Sequence, residues 1–166
     1  MAFVRVKTIK GHHYAYLVEN VWHVRGSRQK VKAYLGKVFS PAKAHAVQLP
    51  ELSSFSFPDA VRALAVWTLF QHGFTQTGTH LSHENITVDS ATGTVARQNK
   101  RAVLQLNEGF LCQYSFQQLL EFVGEGSAEG EVGQRLANAL LEAGLAVSHE
   151  TFVALFNKVF KPLPEE

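Results

Sequence analysis

Residues 4–37 read VRVKTIKGHHYAYLVENVWHVRGSRQKVKAYLGK, and the interpretation of the whole chain starts from this stretch. The first 43 residues hold nine of the sixteen Lys and Arg side chains and a single carboxylate, that of Glu19, so their formal net charge is +8. The rest of the chain holds seven basic and thirteen acidic side chains, a formal net charge of −6. Such an asymmetry within one chain points to a polyanionic partner for the basic part.

Three β-strands are predicted in this stretch. Residues 4–9, 13–24 and 28–35 alternate apolar with polar side chains or are rich in aromatic and β-branched residues, which is typical of strands. Gly11 and Gly26 lie in the short connections between them, where glycine suits the backbone of a tight turn. Strands joined by such short connections pair antiparallel, so a three-stranded antiparallel sheet is predicted.

The predicted strands carry their cations on one face. Side chains alternate between the two faces of a strand, and on the third strand the cationic face also carries Tyr34. If the first and third strands are registered together, we expect their cations to share one surface. That surface would consist of Arg5, Lys7, Arg28, Lys30 and Lys32.

Two orientations of the middle strand are compatible with the sequence. In the first, Ala15, Leu17 and Val21 face the core and the aromatic side chains point outward among the cations; in the second, the sides are exchanged. We favour the first orientation because it gives the smaller side chains to a face covered by a helix. The aromatic residues concerned are Tyr14, Tyr16 and Trp22.

The rest of the chain is predicted to form a mixed body. Its clearest element is a buried helix over residues 58–71, for which Ser56 is the candidate N-cap. The other expected elements are a loop at 74–84, a hairpin around 89–93, a strand at 102–106, a helix at 115–123, an exposed connection at 124–130, and helices at 131–143 and 148–160.

These elements predict an α+β protein. The fold class is an N-terminal three-stranded antiparallel sheet followed by a mixed body with a buried helix, a small second sheet and C-terminal helices. We divide it into a basic β head, residues 1–43, and an acidic, Phe-rich body, residues 44–166, which is either a separate subdomain or packs with the head as one unit.

The composition indicates which cellular compartment we expect for the protein. No apolar run approaches the roughly 20 residues that span a bilayer, and the charged N-terminal decade does not have the pattern of a secretory signal. Cys112 is the only cysteine, so an internal disulfide is impossible, which fits a reducing compartment. We therefore expect a cytoplasmic protein with no membrane partner.

The head has the composition of a nucleic-acid-binding surface. Lys and Arg neutralise phosphates, and outward Tyr or Trp side chains stack on exposed bases. Two other interpretations remain open: the basic face docks on an acidic protein or on the chain's own body, as in a protein–protein adaptor, or it is an ordinary solvated sheet face. The candidate nucleic-acid-binding residues are Arg5, Lys7, Tyr14, Tyr16, Trp22, Arg28, Lys30, Lys32 and Tyr34, with a second small basic site at Arg97, Lys100 and Arg101.

The first 38 residues, about a quarter of the chain, resemble the N-terminal segment of DDE-type insertion-sequence transposases. Those proteins often open with a strand, a second strand of the form YxYLVE, a glycine turn and the motif (R)QKxxxYLG; small uncharacterised archaeal proteins open similarly. The matching residues here are Tyr14, Tyr16, Leu17, Val18, Glu19, Gly26, Arg28, Gln29, Lys30, Tyr34, Leu35 and Gly36. The resemblance implies a part that handles nucleic acid.

No catalytic or metal site is predicted. A DDE nuclease needs two or three grouped carboxylates to hold metal ions, whereas Asp59, Asp89 and Glu108 each have a capping or turn explanation. His80 and His83 form a lone pair without the further ligands that zinc usually takes. We therefore expect neither an enzyme nor a cofactor. The Phe-rich C-terminal helices are the candidate contact for a protein partner.

Overall fold

The computed structural model describes residues 2–124 and 128–162, in which nine strands and four helices form. The strands are β1 (Ala2–Ile9), β2 (His12–His23), β3 (Gly26–Phe39), β4 (Thr75–Thr77), β5 (His80–His83), β6 (Ile86–Asp89), β7 (Val95–Arg97), β8 (Lys100–Leu106) and β9 (Gly109–Leu111). The helices are α1 (Phe57–Gln71), α2 (Gln113–Leu120), α3 (Glu129–Glu142) and α4 (His149–Val159). Residues 125–127 of the expected exposed connection lie outside the described residues.

All nine described strands belong to one sheet. Its order is β1-β2-β3-β8-β7-β6-β5-β4, and β9 pairs with β8 beside this path. The α+β class is confirmed, with the three head strands at the N-terminus. The small second sheet is present as the meander β4 to β7, but β8 joins it to the head sheet.

The head meets the body at a short parallel pairing. Lys37, Val38 and Phe39 at the end of β3 lie opposite Ala102, Val103 and Leu104 of β8. The other strand pairs in the described sheet are antiparallel. A parallel pair requires a crossover connection, and here that connection contains α1 and the whole β4–β7 meander.

Strand β8 is buried on both sides over its middle residues, Ala102 to Leu104. Ala102, Leu104 and Leu106 belong to the main core, which includes the buried side of α1. Val103 belongs to a second core with Ala15, Val38 and Cys112, against which side chains of β1, β9 and α2 pack. The part of the head next to β8, which we call its base, therefore packs against the body through this second core.

The helix α1 forms where its capping signals predict it. The Ser56 hydroxyl oxygen accepts a hydrogen bond from the backbone N–H of Asp59, and Pro58 occupies the first turn. The stretch 74–84, predicted as a loop, instead contains β4 and β5. Its alternation was not visible because β4 exposes all three of its side chains and β5 buries only Leu81.

Gly36 lies where β3 comes into close contact with β8. Its φ is +138°, and a Cβ atom added there would lie 2.7 Å from the Arg101 carbonyl oxygen and 2.8 Å from Ala102 Cα. These are backbone atoms of the partner strand, so relief requires the two strands to separate. Only glycine permits both this backbone conformation and this approach.

We expect Gly36→Ala to lower the free energy of unfolding by about 2 kcal/mol or more, because it adds backbone strain to a steric overlap. Gly26→Ala is the matched control, since Gly26 also has a positive φ, +114°, but no atom within 4 Å of an added Cβ. Urea unfolding should show a loss at least about 1 kcal/mol larger for Gly36→Ala than for Gly26→Ala. Equal losses would show that the β3–β8 contact does not need glycine.

Candidate nucleic-acid interface

Two rows of cross-strand neighbours bring cations and tyrosines together on one side of the head sheet. Arg5 lies opposite Tyr16, which lies opposite Tyr34. In the adjacent row, Lys7 lies opposite Tyr14, which lies opposite Lys37. Directly opposed side chains project to the same side of a sheet. We call this group the tyrosine face: Arg5, Lys7, Tyr14, Tyr16, Tyr34 and Lys37.

The favoured orientation of the middle strand is confirmed at the base of the head. Ala15 is 0% exposed in the second core, and Leu17 lines a cleft between the head and α2. Tyr14 and Tyr16 project to the opposite side, with the cations of β1. Val21 differs from the expectation, because it lies beyond the end of β1 and away from the core.

The expectation that five cations share one surface is wrong. Two irregularities interrupt the pairing of β2 with β3, one between Tyr16 and Ala15 and one between Leu17 and Val18. At the second, Leu17 and Val18 are consecutive on β2, whereas their partners Ala33 and Val31 are two residues apart on β3. Lys32 is therefore an extra residue without a partner position on β2. Each extra residue reverses the side on which the following side chains lie.

The cations therefore divide between the two sides. Arg28 lies opposite Val21, and Lys30 lies opposite Glu19, both on the side away from the tyrosine face. The Lys32 ammonium lies on the same side as Arg28 and Lys30, since it is 3.3 Å from the Glu19 carboxylate. Arg5 and Lys7 remain with the tyrosines, and so does Lys37, which the candidate set did not include.

The rings of the tyrosine face support one another. The Tyr16 and Tyr34 ring centroids are 5.3 Å apart, and those of Tyr14 and Tyr34 are 6.5 Å apart, both in tilted arrangements. The Lys7 ammonium lies over the Tyr16 ring, 5.0 Å from its centroid. Tyr34 remains 41% exposed. Rings held in this way lose little conformational entropy when a flat ligand stacks on them.

The charge state of Tyr34 suits a polyanion. Partial burial raises the pKa of the Tyr34 phenol, and neighbouring Tyr16 and Tyr14 raise it further, against the opposing effect of Arg101. The phenol is therefore neutral at physiological pH. A neutral hydroxyl donates hydrogen bonds to phosphate oxygens, whereas a phenolate would repel them.

Arg5 connects β1 to β3 across the middle strand. Its guanidinium Nη1 donates a hydrogen bond to the side-chain oxygen of Gln29. Val18 lies on the middle strand β2, on the same side of the sheet as Arg5 and Gln29, and it is 1% exposed. The bridge holds one cation of the tyrosine face close to the β2–β3 hairpin.

A second basic group continues the tyrosine face toward the body. The Lys37 ammonium is 5.6 Å and the Arg97 guanidinium 4.6 Å from the centroid of the Phe39 ring. Lys100 lies opposite Arg97 across the turn at residues 98 and 99, where both φ angles are positive, as in hairpin turns of type I′. We call Phe39, Arg97 and Lys100 the edge cluster.

Arg101 has a different task from the edge cluster. Its Nη1 donates a 3.0 Å hydrogen bond to the backbone carbonyl oxygen of Tyr34. That carbonyl belongs to the part of β3 that precedes its pairing with β8. Arg101 therefore connects β8 to the segment of β3 that carries Tyr34, and we assign it a positioning role.

The hairpin of β2 and β3 extends past the rest of the sheet. β1 ends its pairing at Ala2, opposite Glu19, and β3 reaches β8 only at Lys37. Within the described chain, residues 20–23 therefore pair only with residues 26–29. We call residues 20–32 the arm. Trp22 is 81% exposed there, and Arg28, Lys30 and Lys32 are exposed as well.

The head cations have few carboxylate partners. In residues 2–124 and 128–162, the ion pair of Lys32 with Glu19 is the only one that involves the first 43 residues. The other described ion pairs lie in the body, at Arg62 with Asp59 and at His83 with Glu84. The positive charge of the head is therefore largely uncompensated by local ion pairs.

The carboxylates and histidines of the body do not converge. Among the described residues, no three His, Cys, Asp or Glu side chains are placed to hold a metal ion. Asp59 is paired with Arg62, and the Asp89 carboxylate accepts a hydrogen bond from the backbone N–H of Ala91. His80 and His83 are three residues apart on β5 and so project to opposite sides.

Three residues of this surface were not in the candidate set: Gln29, Lys37 and Phe39. Alternation puts Gln29, which lies between Arg28 and Lys30, on the face away from the cations, and the predicted third strand ends at Leu35. A glycine inside a strand pattern is a signal for a bulge or a close backbone approach, and Gly36 is such a glycine. That signal would have extended β3 beyond Leu35.

Comparison with protein-family models, with curated proteins and with solved structures finds no match for this chain. Among the described helices, none combines the length and the apolar character needed to cross a bilayer.

Replacement of Tyr34 by Phe tests the environment of the tyrosine face. We expect the difference between the phenolate absorbance titrations of the original protein and Tyr34→Phe to have its midpoint above pH 10, the approximate pKa of a free tyrosine. Because the folded chain holds this proton more tightly than the unfolded chain, the contribution of Tyr34 to stability is complete below about pH 10 and is lost as the pH rises above it. A midpoint at or below pH 10 would contradict the burial of this phenol.

Proposed function

We propose that this protein is a non-catalytic, cytoplasmic nucleic-acid-binding or ribonucleoprotein-associated factor that contacts its polyanionic partner through the head. The observation that supports this most strongly is the tyrosine face. It places three cations and three tyrosines in two adjacent rows on one side of the sheet. The edge cluster extends the same surface by two further cations.

The two kinds of side chain serve different parts of a nucleic acid. Lys and Arg neutralise phosphates and release condensed counterions, which provides affinity without sequence preference. Aromatic rings stack on bases, which is also tolerant of sequence. In this division Arg5, Lys7 and Lys37 follow the backbone, and Tyr34, the most exposed ring of the three, is the candidate stacking group.

The resemblance to transposase N-termini supports the same proposal. The matching residues include Tyr14, Tyr16 and Tyr34, which lie together on the tyrosine face. In the described chain no carboxylates group as a two-metal nuclease requires. We therefore propose the nucleic-acid-handling role without strand cleavage.

The alternative function is a protein–protein adaptor whose basic face docks on an acidic partner. The C-terminal helix offers it a second surface, since Phe152, Phe156 and Phe160 form a ladder with centroids 6.3 Å and 5.0 Å apart. These rings are only partly buried. If nucleic acid does not bind, the adaptor becomes the favoured function.

Affinity for fluorescently labelled oligonucleotides, measured by anisotropy over a range of salt concentrations, tests the proposal. We expect binding at low salt and a linear fall of log K with log[salt]. Arg5→Gln with Lys7→Gln should weaken binding at 0.1 M salt by at least about tenfold and lower the slope by up to about 2.

The matched control removes the same charge from the body, by Arg62→Gln with Arg135→Gln. It should leave affinity within about twofold, since Arg62 is paired with Asp59 and Arg135 donates to the Val123 carbonyl oxygen, both within the body. Absence of binding at low salt to both single-stranded and duplex DNA and RNA would reject the proposed function. Equal losses in the two double variants would show that net charge, and not the tyrosine face, determines binding.

A further inference from the structure

The arm is a free-standing two-stranded ribbon. Beyond Glu19 it contains four opposed pairs, from Asn20 with Gln29 to His23 with Gly26. At about 3.4 Å per residue these pairs and their turn extend roughly 15–20 Å from the sheet. Every residue from 22 to 32 is exposed.

The two sides of the arm differ in chemistry. Asn20, Trp22, Ser27 and Gln29 share one side, which is also the side of the tyrosine face. Val21, His23, Arg28 and Lys30 share the other. The arm thus has hydrogen-bonding and aromatic side chains on one side and cations on the other. Arg25 adds a further cation at the tip, and the arm contains no carboxylate.

Without a partner, the arm exposes apolar side chains to water, which is energetically unfavourable. Trp22 is 81% exposed, and Val24 is fully exposed at the tip. A two-stranded hairpin without a third strand or a covering helix is marginally stable in water. Exposed apolar side chains held among cations indicate a contact surface whose partner is an anion with accessible apolar groups. Duplex DNA, with phosphates flanking base edges and thymine methyl groups, has this combination.

We propose that the arm lies in the major groove of B-form duplex DNA; this inference rests on the proposed nucleic-acid-binding function and specifies its ligand. The major groove is about 12 Å wide and 8.5 Å deep and admits a two-stranded β-ribbon. The major groove of A-form RNA is too narrow for protein side chains to read. The arm therefore selects duplex DNA over duplex RNA.

The orientation of the arm in the groove follows from the tyrosine face. Since Trp22 and Asn20 lie on the same side as Arg5 and Lys7, that side faces the DNA, and these two arm residues meet the base edges. The bases of an intact duplex are not open to stacking, so in this complex the Tyr34 hydroxyl donates to a phosphate. Arg28 and Lys30 lie on the outer side, and their long side chains reach the phosphates along the groove walls. The cations of the tyrosine face and those of the arm thus contact one ligand.

The test compares a mixed-sequence DNA duplex with an RNA duplex of the same length and sequence, by anisotropy at fixed salt. We expect the DNA duplex to bind at least about tenfold more tightly. Arg28→Gln with Lys30→Gln, and separately Trp22→Ala, should remove most of this preference. Arg5→Gln with Lys7→Gln should weaken binding to both duplexes and preserve their ratio.

Failure of this inference differs from failure of the proposed function. If neither duplex nor either single strand binds at low salt, the proposed function fails. If nucleic acid binds but the DNA-to-RNA ratio is near one, or the ratio survives both arm variants, the arm is not a groove-binding element. Unchanged circular dichroism and melting temperature in the variants ensure that a lost preference reflects contact and not unfolding.

Fluorescence locates Trp22 in the complex. The chain has two tryptophans, and Trp67→Phe leaves Trp22 as the only one. In that background we expect duplex DNA to quench or shift the emission, because the indole enters the groove. Emission that changes with anionic lipid vesicles and not with DNA would overturn the proposal. So would self-association that Trp22→Ala abolishes without any effect on DNA binding.

Discussion

The short parallel contact between β3 and β8 determines where every other part of the molecule lies. Three residues at the end of β3, beginning with Lys37, pair with β8, and the positive φ of Gly36 allows the strands to approach at that point. Beside this contact Val38 and Val103 join the second core, which fixes the base of the head on the body. On the opposite side Lys37 and Phe39 bring the tyrosine face up to the edge cluster.

The irregular pairing of β3 gives the head its functional shape. An uninterrupted strand would put Tyr34 with Lys30 and Arg28 on a single side. The extra residue at Lys32 separates them, so that the tyrosines remain with the β1 cations while the arm carries cations on its other side. The result is two basic surfaces with different geometry: a broad sheet face with stacked rings, and a narrow ribbon with a tryptophan near its tip.

Local patterns predicted much of this fold, and long-range geometry accounts for the differences. The three head strands follow from alternation and from Gly11 and Gly26, and α1 follows from Ser56, Pro58 and its apolar surface. The side on which Arg28 lies could not be predicted, because a bulge shifts the period of two without leaving a fixed sequence signature. The β4–β5 hairpin was missed because its side chains are nearly all solvated, so no apolar face marked it. The neighbourhood of Lys37 and Arg97, sixty residues apart in sequence, depends on a crossover that no local pattern specifies.

Contact between the head and nucleic acid is tested most directly by amide chemical-shift mapping during titration with a short DNA duplex at low salt. The account predicts that the largest changes fall on the residues of the tyrosine face and on the arm, with α3 and α4 unaffected. Changes confined to α3 and α4, or no changes at all at low salt, would contradict it.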